Sequence, residues 1–147
     1  MSNHHSSIGR LAFLRGLSLC ALLASVGAGA SSAGAAAPCT TTKLSAHSSG
    51  KTVVLEGTCD RIKITLTQSF DAGFSWSVSR KPAASILKLV SAKSVRTEPP
   101  GTVGGTDDYV VGYRGVGRGK TSLKLTENRV YGGHSTLATF SLTVRVD

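Results

Sequence analysis

The sequence predicts an all-β sandwich behind a cleavable leader. Three observations carry this. Apolar and polar residues alternate strictly along most of the chain after residue 40, helical periodicity is nearly absent, and turn-forming clusters interrupt the alternation at short intervals.

The leader comes first. Arg10 and Arg15 form a positive start, and Leu17 to Val26 is an apolar run. Small residues follow, Gly27-Ala28-Gly29-Ala30-Ser31 and then Ala33-Gly34-Ala35-Ala36-Ala37. That order is a secretory signal peptide with A-x-A cleavage options, and a cut after Ala30 or Ala35 keeps Pro38 off the first mature position. A membrane anchor is disfavoured, because the run is shorter than the ~17–25 residues a spanning helix needs. Residues 1–35 are thus read as signal peptide and cleavage region, and residues 38–147 as one domain, secreted or periplasmic and free of the membrane after cleavage.

Strands are then expected in order. Thr41–Ala46 is the weakest pattern, and Thr52–Glu56 follows it. Arg61-Ile62-Lys63-Ile64-Thr65-Leu66-Thr67 alternates without a break. Phe74, Trp76 and Val78 alternate with serines, so Trp76 is read as a core aromatic on a central strand and Phe74 is also given to the core. Ile86–Val95 and Asp107–Arg114 come next. Leu123 and Leu125 alternate with Ser122, Lys124 and Thr126, and Phe140, Leu142, Val144 and Val146 with Ser141, Thr143 and Arg145. One face in a core and one in water is the habit of antiparallel sheets. Turn signals at Ser48-Ser49-Gly50, Asp71-Ala72-Gly73, Pro99-Pro100-Gly101, Gly104-Gly105, Gly117-Arg118-Gly119 and Gly132-Gly133 separate the runs. Seven or eight short antiparallel strands in this length fit a two-sheet sandwich of immunoglobulin-like type.

Cys39 and Cys59 are the two cysteines left once Cys20 departs with the leader. An even pair in an exported chain favours a disulfide over two free thiols. The formal charge of +9 falls to +7 on cleavage, since Arg10 and Arg15 leave and no acid does. Such an excess suits an anionic partner. The basic residues are scattered, however, and an exported chain has no nucleic acid to meet, so most are read as solvated strand faces.

Motifs for catalysis fail on inspection. Gly115-Val116-Gly117-Arg118-Gly119-Lys120-Thr121 is one residue short of a phosphate-binding loop and leads into a strand, so it is read as a hairpin turn. Ser85-Ile86-Leu87-Lys88 has S-x-x-K spacing, but on a strand its two side chains face opposite ways. His47 and His134 have no partner at metal-ligand spacing, and Asp107-Asp108 diverge on a strand. No cofactor is implied. The sequence describes a binder rather than an enzyme.

Three loop segments resemble, in order, those of the chagasin family of cysteine protease inhibitors. Ser69-Phe70-Asp71-Ala72-Gly73-Phe74-Ser75-Trp76 keeps the Gly-aromatic-x-Trp half of the first family loop but not its Asn-Pro-Thr-Thr half. Gly101-Thr102-Val103-Gly104-Gly105-Thr106, after Pro99-Pro100, is similar to the glycine-rich second loop. Leu125-Thr126-Glu127-Asn128-Arg129-Val130-Tyr131 keeps the arginine and an aromatic of the third, with Val130 where the family has proline. The resemblance spans about Lys43 to Val146. It implies a monomeric, reversible, competitive inhibitor whose partner is a papain-like cysteine protease. The Ser69–Phe74 loop would approach the catalytic cysteine, the Val103–Thr106 loop would line the cleft wall, and Arg129 and Tyr131 would hold the far side, with Val130 in the same binding loop. The other reading is an exported immunoglobulin-like module that binds another protein or a cell-envelope component without inhibiting a protease.

Overall fold

The computed structural model describes residues 38–69, 72–99, 101–102, 104–132 and 135–147. The leader expected over residues 1–35 lies outside them, as do three expected loop residues, Phe70, Asp71 and Val103.

Eight strands form where alternation places them: β1 (Thr41–Leu44), β2 (Thr52–Leu55), β3 (Arg61–Gln68), β4 (Phe74–Arg80), β5 (Leu87–Arg96), β6 (Asp107–Gly115), β7 (Gly119–Arg129) and β8 (Thr136–Val146). The weakest expected strand ends at Leu44, and a short 3-10 helix occupies Ala46–Ser48. Two four-stranded sheets result, in the orders β1-β3-β6-β5 and β2-β8-β7-β4. Among the described residues no helix is long and apolar enough to cross a membrane.

The core follows from the period of two. Ile62, Ile64 and Leu66 of β3 and Val111 and Tyr113 of β6 turn inward from the first sheet. They meet Leu123 and Leu125 of β7 and Phe140, Leu142, Val144 and Val146 of β8 from the second. Each is nearly free of solvent contact. Fully burying such side chains contributes roughly 1.5–3 kcal/mol apiece before entropy is charged against it.

Four expectations need correction. The sheets are not wholly antiparallel: β1 pairs parallel with β3 and β2 parallel with β8, while the remaining pairs are antiparallel. Alternation fixes the face a residue takes, and carries no information on strand direction. The Gly115–Gly119 turn is not a hairpin, because β6 and β7 belong to different sheets and the chain crosses between them. Trp76 is a core residue, but β4 is the edge of its sheet rather than its centre. Phe74 is only half-buried and lies outside the core cluster.

Cys39 and Cys59 form the expected disulfide, with Cα atoms 5.3 Å apart. Each cysteine lies two residues before a strand, and Thr41 pairs with Arg61, so the bond keeps the parallel β1–β3 register two residues beyond its first pair. The same corner is closed by Arg61 N–H donating to the Thr40 carbonyl (2.8 Å) and Thr40 N–H donating to Asp60 Oδ1 (2.6 Å). The hydrogen bond from Thr40 favours the carboxylate and is the main cause of an Asp60 pKa below its ordinary value.

Candidate functional site: three loops at one end of the sandwich

Register alone brings the three loops to one end. Gln68, the last residue of β3, pairs with Asp107, the first of β6, which also pairs with Arg96, the last of β5. In the other sheet Phe74, the first residue of β4, pairs with Arg129, the last of β7, and β8 begins beside them at Thr136. The segments 69–73, 97–106 and 130–135 therefore leave the sheets at a common edge, and the first of them bridges the two sheets.

Polar side chains buried under this end hold it together. Gln68 occupies the next inward position after Ile62, Ile64 and Leu66 and is 1% exposed. Its Nε2 donates to Ser94 Oγ of β5 (3.0 Å), and its Oε1 accepts from the backbone N–H of Trp76 on β4 (3.1 Å), so one amide links both sheets. The indole N–H of Trp76 donates back to the Thr67 carbonyl (3.0 Å). Glu127 is the matching residue on β7, next inward after Leu123 and Leu125 and also buried. Its burial raises the carboxyl pKa, and a backbone hydrogen bond with Ser69 offsets part of that rise.

The first and third loops are joined directly. The Ser69 carbonyl accepts from the N–H groups of Ala72 (3.1 Å) and Phe74 (3.2 Å), which closes the first loop. Gly73 has φ +80°, a left-handed backbone that side chains disfavour, and a Cβ at this position would lie 3.7 Å from Tyr131 Cδ2. The Val130 N–H donates to the Gly73 carbonyl (2.7 Å), and Arg129 N–H to the Ser135 carbonyl (3.1 Å). The Arg129 guanidinium lies 5.4 Å from the centroid of the Phe74 ring, a cation–π distance. Tyr131 is 74% exposed and Val130 49%, so the tip offers an aromatic ring, a branched apolar side chain and a guanidinium to solvent. Leu137, early on β8, adds a further exposed apolar side chain.

The second loop is anchored at its base, where the Thr97 hydroxyl donates to the Thr106 carbonyl. A Cβ at Gly105 would come 2.9 Å from Glu98 Cγ, so a side chain there would have to displace Glu98. Gly104 is exposed, and Thr106 is half-buried beside the first residue of β6.

The structure brings the expected site residues together unevenly. Ser69, Ala72, Gly73, Phe74, Arg129, Val130 and Tyr131 form one contiguous group, and Gly104, Gly105 and Thr106 join it through β6 and β3. Gln68 and Glu127, which hold the loop bases, were not anticipated. The available signal was a polar residue ending an otherwise apolar stripe.

The model of the chagasin family peptidase inhibitors, family I42, matches residues 58–144, which contain all three loops. The chain belongs to the chagasin family. Members of this family inhibit peptidases and are not enzymes. No curated protein sequence matches this chagasin-family chain. Among solved structures it is similar to the cysteine protease inhibitor EhICP2 from Entamoeba histolytica, with a TM-score of 0.63 and 20% identity over 74% of this chain and 97% of that one. It is similar to amebosin at a TM-score of 0.57 and 21% identity, covering 75% and 99% of the two chains. PbICP-C, solved in complex with falcipain-2, gives a TM-score of 0.50 and 15% identity over 75% and 93%. At these identities the likeness is one of fold.

Proposed function

We propose that the protein is an exported, monomeric, reversible and competitive inhibitor of papain-like cysteine proteases, which occupies the active-site cleft with the three loops. The observation that carries this reading is the direct joining of the first and third loops, Val130 N–H to the Gly73 carbonyl and the Tyr131 ring against Gly73, inside a chain of the chagasin family. That EhICP2 is a cysteine protease inhibitor and that PbICP-C binds falcipain-2 support the target class.

The mechanism follows from rigidity. Loops closed by their own hydrogen bonds lose little entropy on docking. The 69–74 segment approaches the protease nucleophile with the Ser69 and Gly73 carbonyls already engaged, so it blocks the cleft without presenting a free extended peptide for cleavage. The glycines of the second loop allow backbone to lie close against one cleft wall. Arg129 and Tyr131, residue types that dominate interface energetics, grip the other. The Cys39–Cys59 disulfide suits an oxidising compartment, and the pattern of residues 1–35 suits export to it.

The test is steady-state kinetics with a panel of papain-like proteases and peptide substrates. A rise in apparent KM at constant kcat is expected for at least one enzyme, with full recovery on dilution and the inhibitor intact by mass. Unchanged activity across the panel would reject the proposal and leave the binding-module reading.

A further inference from the structure

The outer face of the β1-β3-β6-β5 sheet carries an array of like charges that the fold does not need. Register sets Arg61 directly opposite Arg114, and Arg114 opposite Lys88, so three cations lie in one row across three strands. Lys43 faces Lys63 in the next row, and Lys93 stands beyond Val110 in the third. All six side chains are exposed. One acid, Asp108, shares the face, and it accepts a hydrogen bond from the Thr67 hydroxyl (3.2 Å). The one ion pair among the described residues is Arg145–Asp147, on the other sheet. Like charges directly opposite on a sheet are destabilising, and alternating signs would have added stability. The face also holds an open groove of about 580 Å³, with Arg61, Lys63, Lys93 and Gly112 among the residues that line it.

We infer that this groove is a second binding site, for a linear anionic polysaccharide, separate from the protease-blocking loops. The four strands make a floor about 14 Å wide, which suits a single extended chain. No aromatic side chain points outward from the face, so it lacks the stacking platform that binds single-stranded nucleic acid. Hydroxyls of Thr65 and Ser91 between the cations supply hydrogen bonds to sugar and acid oxygens. The cationic rows lie toward the end of the sheet away from the loops. Thr67, Asp108 and Val95 form the row nearest them. A chain in the groove therefore leaves the loops free, and the inhibitor can be held on an anionic matrix while it acts.

The experiment measures binding of the full chain to a heparin fragment as a function of salt. Affinity should fall steeply with salt, because counterions are released on binding. Exchanging Arg61→Thr and Lys63→Thr together should weaken binding at least about tenfold and lower the salt slope by about two, with a thermal midpoint equal to or above the parent's. The control is Lys120→Thr with Lys124→Thr on the other sheet, which removes the same charge and should change affinity less than about twofold. Equal loss from both pairs would overturn the proposal, since net charge alone would then explain binding. So would absence of binding at low salt, or equal affinity for anionic phospholipid vesicles or single-stranded DNA.

Discussion

Glu127 ends the inward stripe of β7 as a buried carboxylate beside the loop that carries Ser69. Because burial raises its folded pKa, the folded protein binds a proton that the unfolded chain has already released. The contribution of Glu127 to stability is therefore fullest below the ordinary glutamate range and is lost as pH rises through the raised value. Glu127→Gln keeps an acceptor for the Ser69 N–H and removes the charge. Denaturant midpoints measured against pH should show the variant more stable than the parent at neutral pH, with a flatter profile. Arg129 and Tyr131 belong to the same scale. Their double replacement by alanine removes the cation over Phe74 and the exposed ring, and should weaken inhibition by about 2 kcal/mol or more, roughly thirtyfold in Ki. Unfolding stability should barely move, because both side chains are exposed. Phe74 was legible in the sequence as an aromatic at a strand start. Its position under Arg129 was not, because a half-buried ring and a buried one share the same alternation.

At the scale of elements, the strands were readable because each one buries a single face, and burial writes a period of two into the sequence. Ile62, Ile64 and Leu66 announce β3 without help from any neighbour. Pairing is not written that way. The four residues of β1 sit at a sheet edge and run parallel to β3, and their direction is set by the disulfide and by the Thr40 and Asp60 hydrogen bonds. The cross-link closes a loop of about 20 residues, so replacing both cysteines with serine should cost about 3 kcal/mol of unfolding free energy. Hydrogen exchange should locate the new opening in β1. Inhibition should persist in the reduced-stability variant, because the loops hang from β3 to β8. Loop closure resisted reading for another reason. Gln68 and Glu127 link elements distant in sequence, and only the assembled sheets reveal that each polar residue has a partner.

Over the whole molecule, the two proposed functions occupy separate surfaces. The core belongs to two apolar faces, the loop end to exposed recognition side chains, and the outer face of one sheet to an unpaired cationic array. The positive net charge was plain from composition, and its scatter along the chain suggested simple solvation. Folding gathers six of those residues onto one face, which no linear spacing displays. The order of the loop motifs, by contrast, survived in the sequence because each sits next to a strand that fixes its place. The central claim is that the three loops make the protease contact. Hydrogen exchange of the inhibitor, free and bound to a papain-like protease it inhibits, tests this most directly. The expected result is slowed exchange in segments 69–74, 101–106 and 129–135, with the outer sheet face unchanged. Slowed exchange confined to the β5 edge or the sheet face, with the loops unaffected, would contradict it.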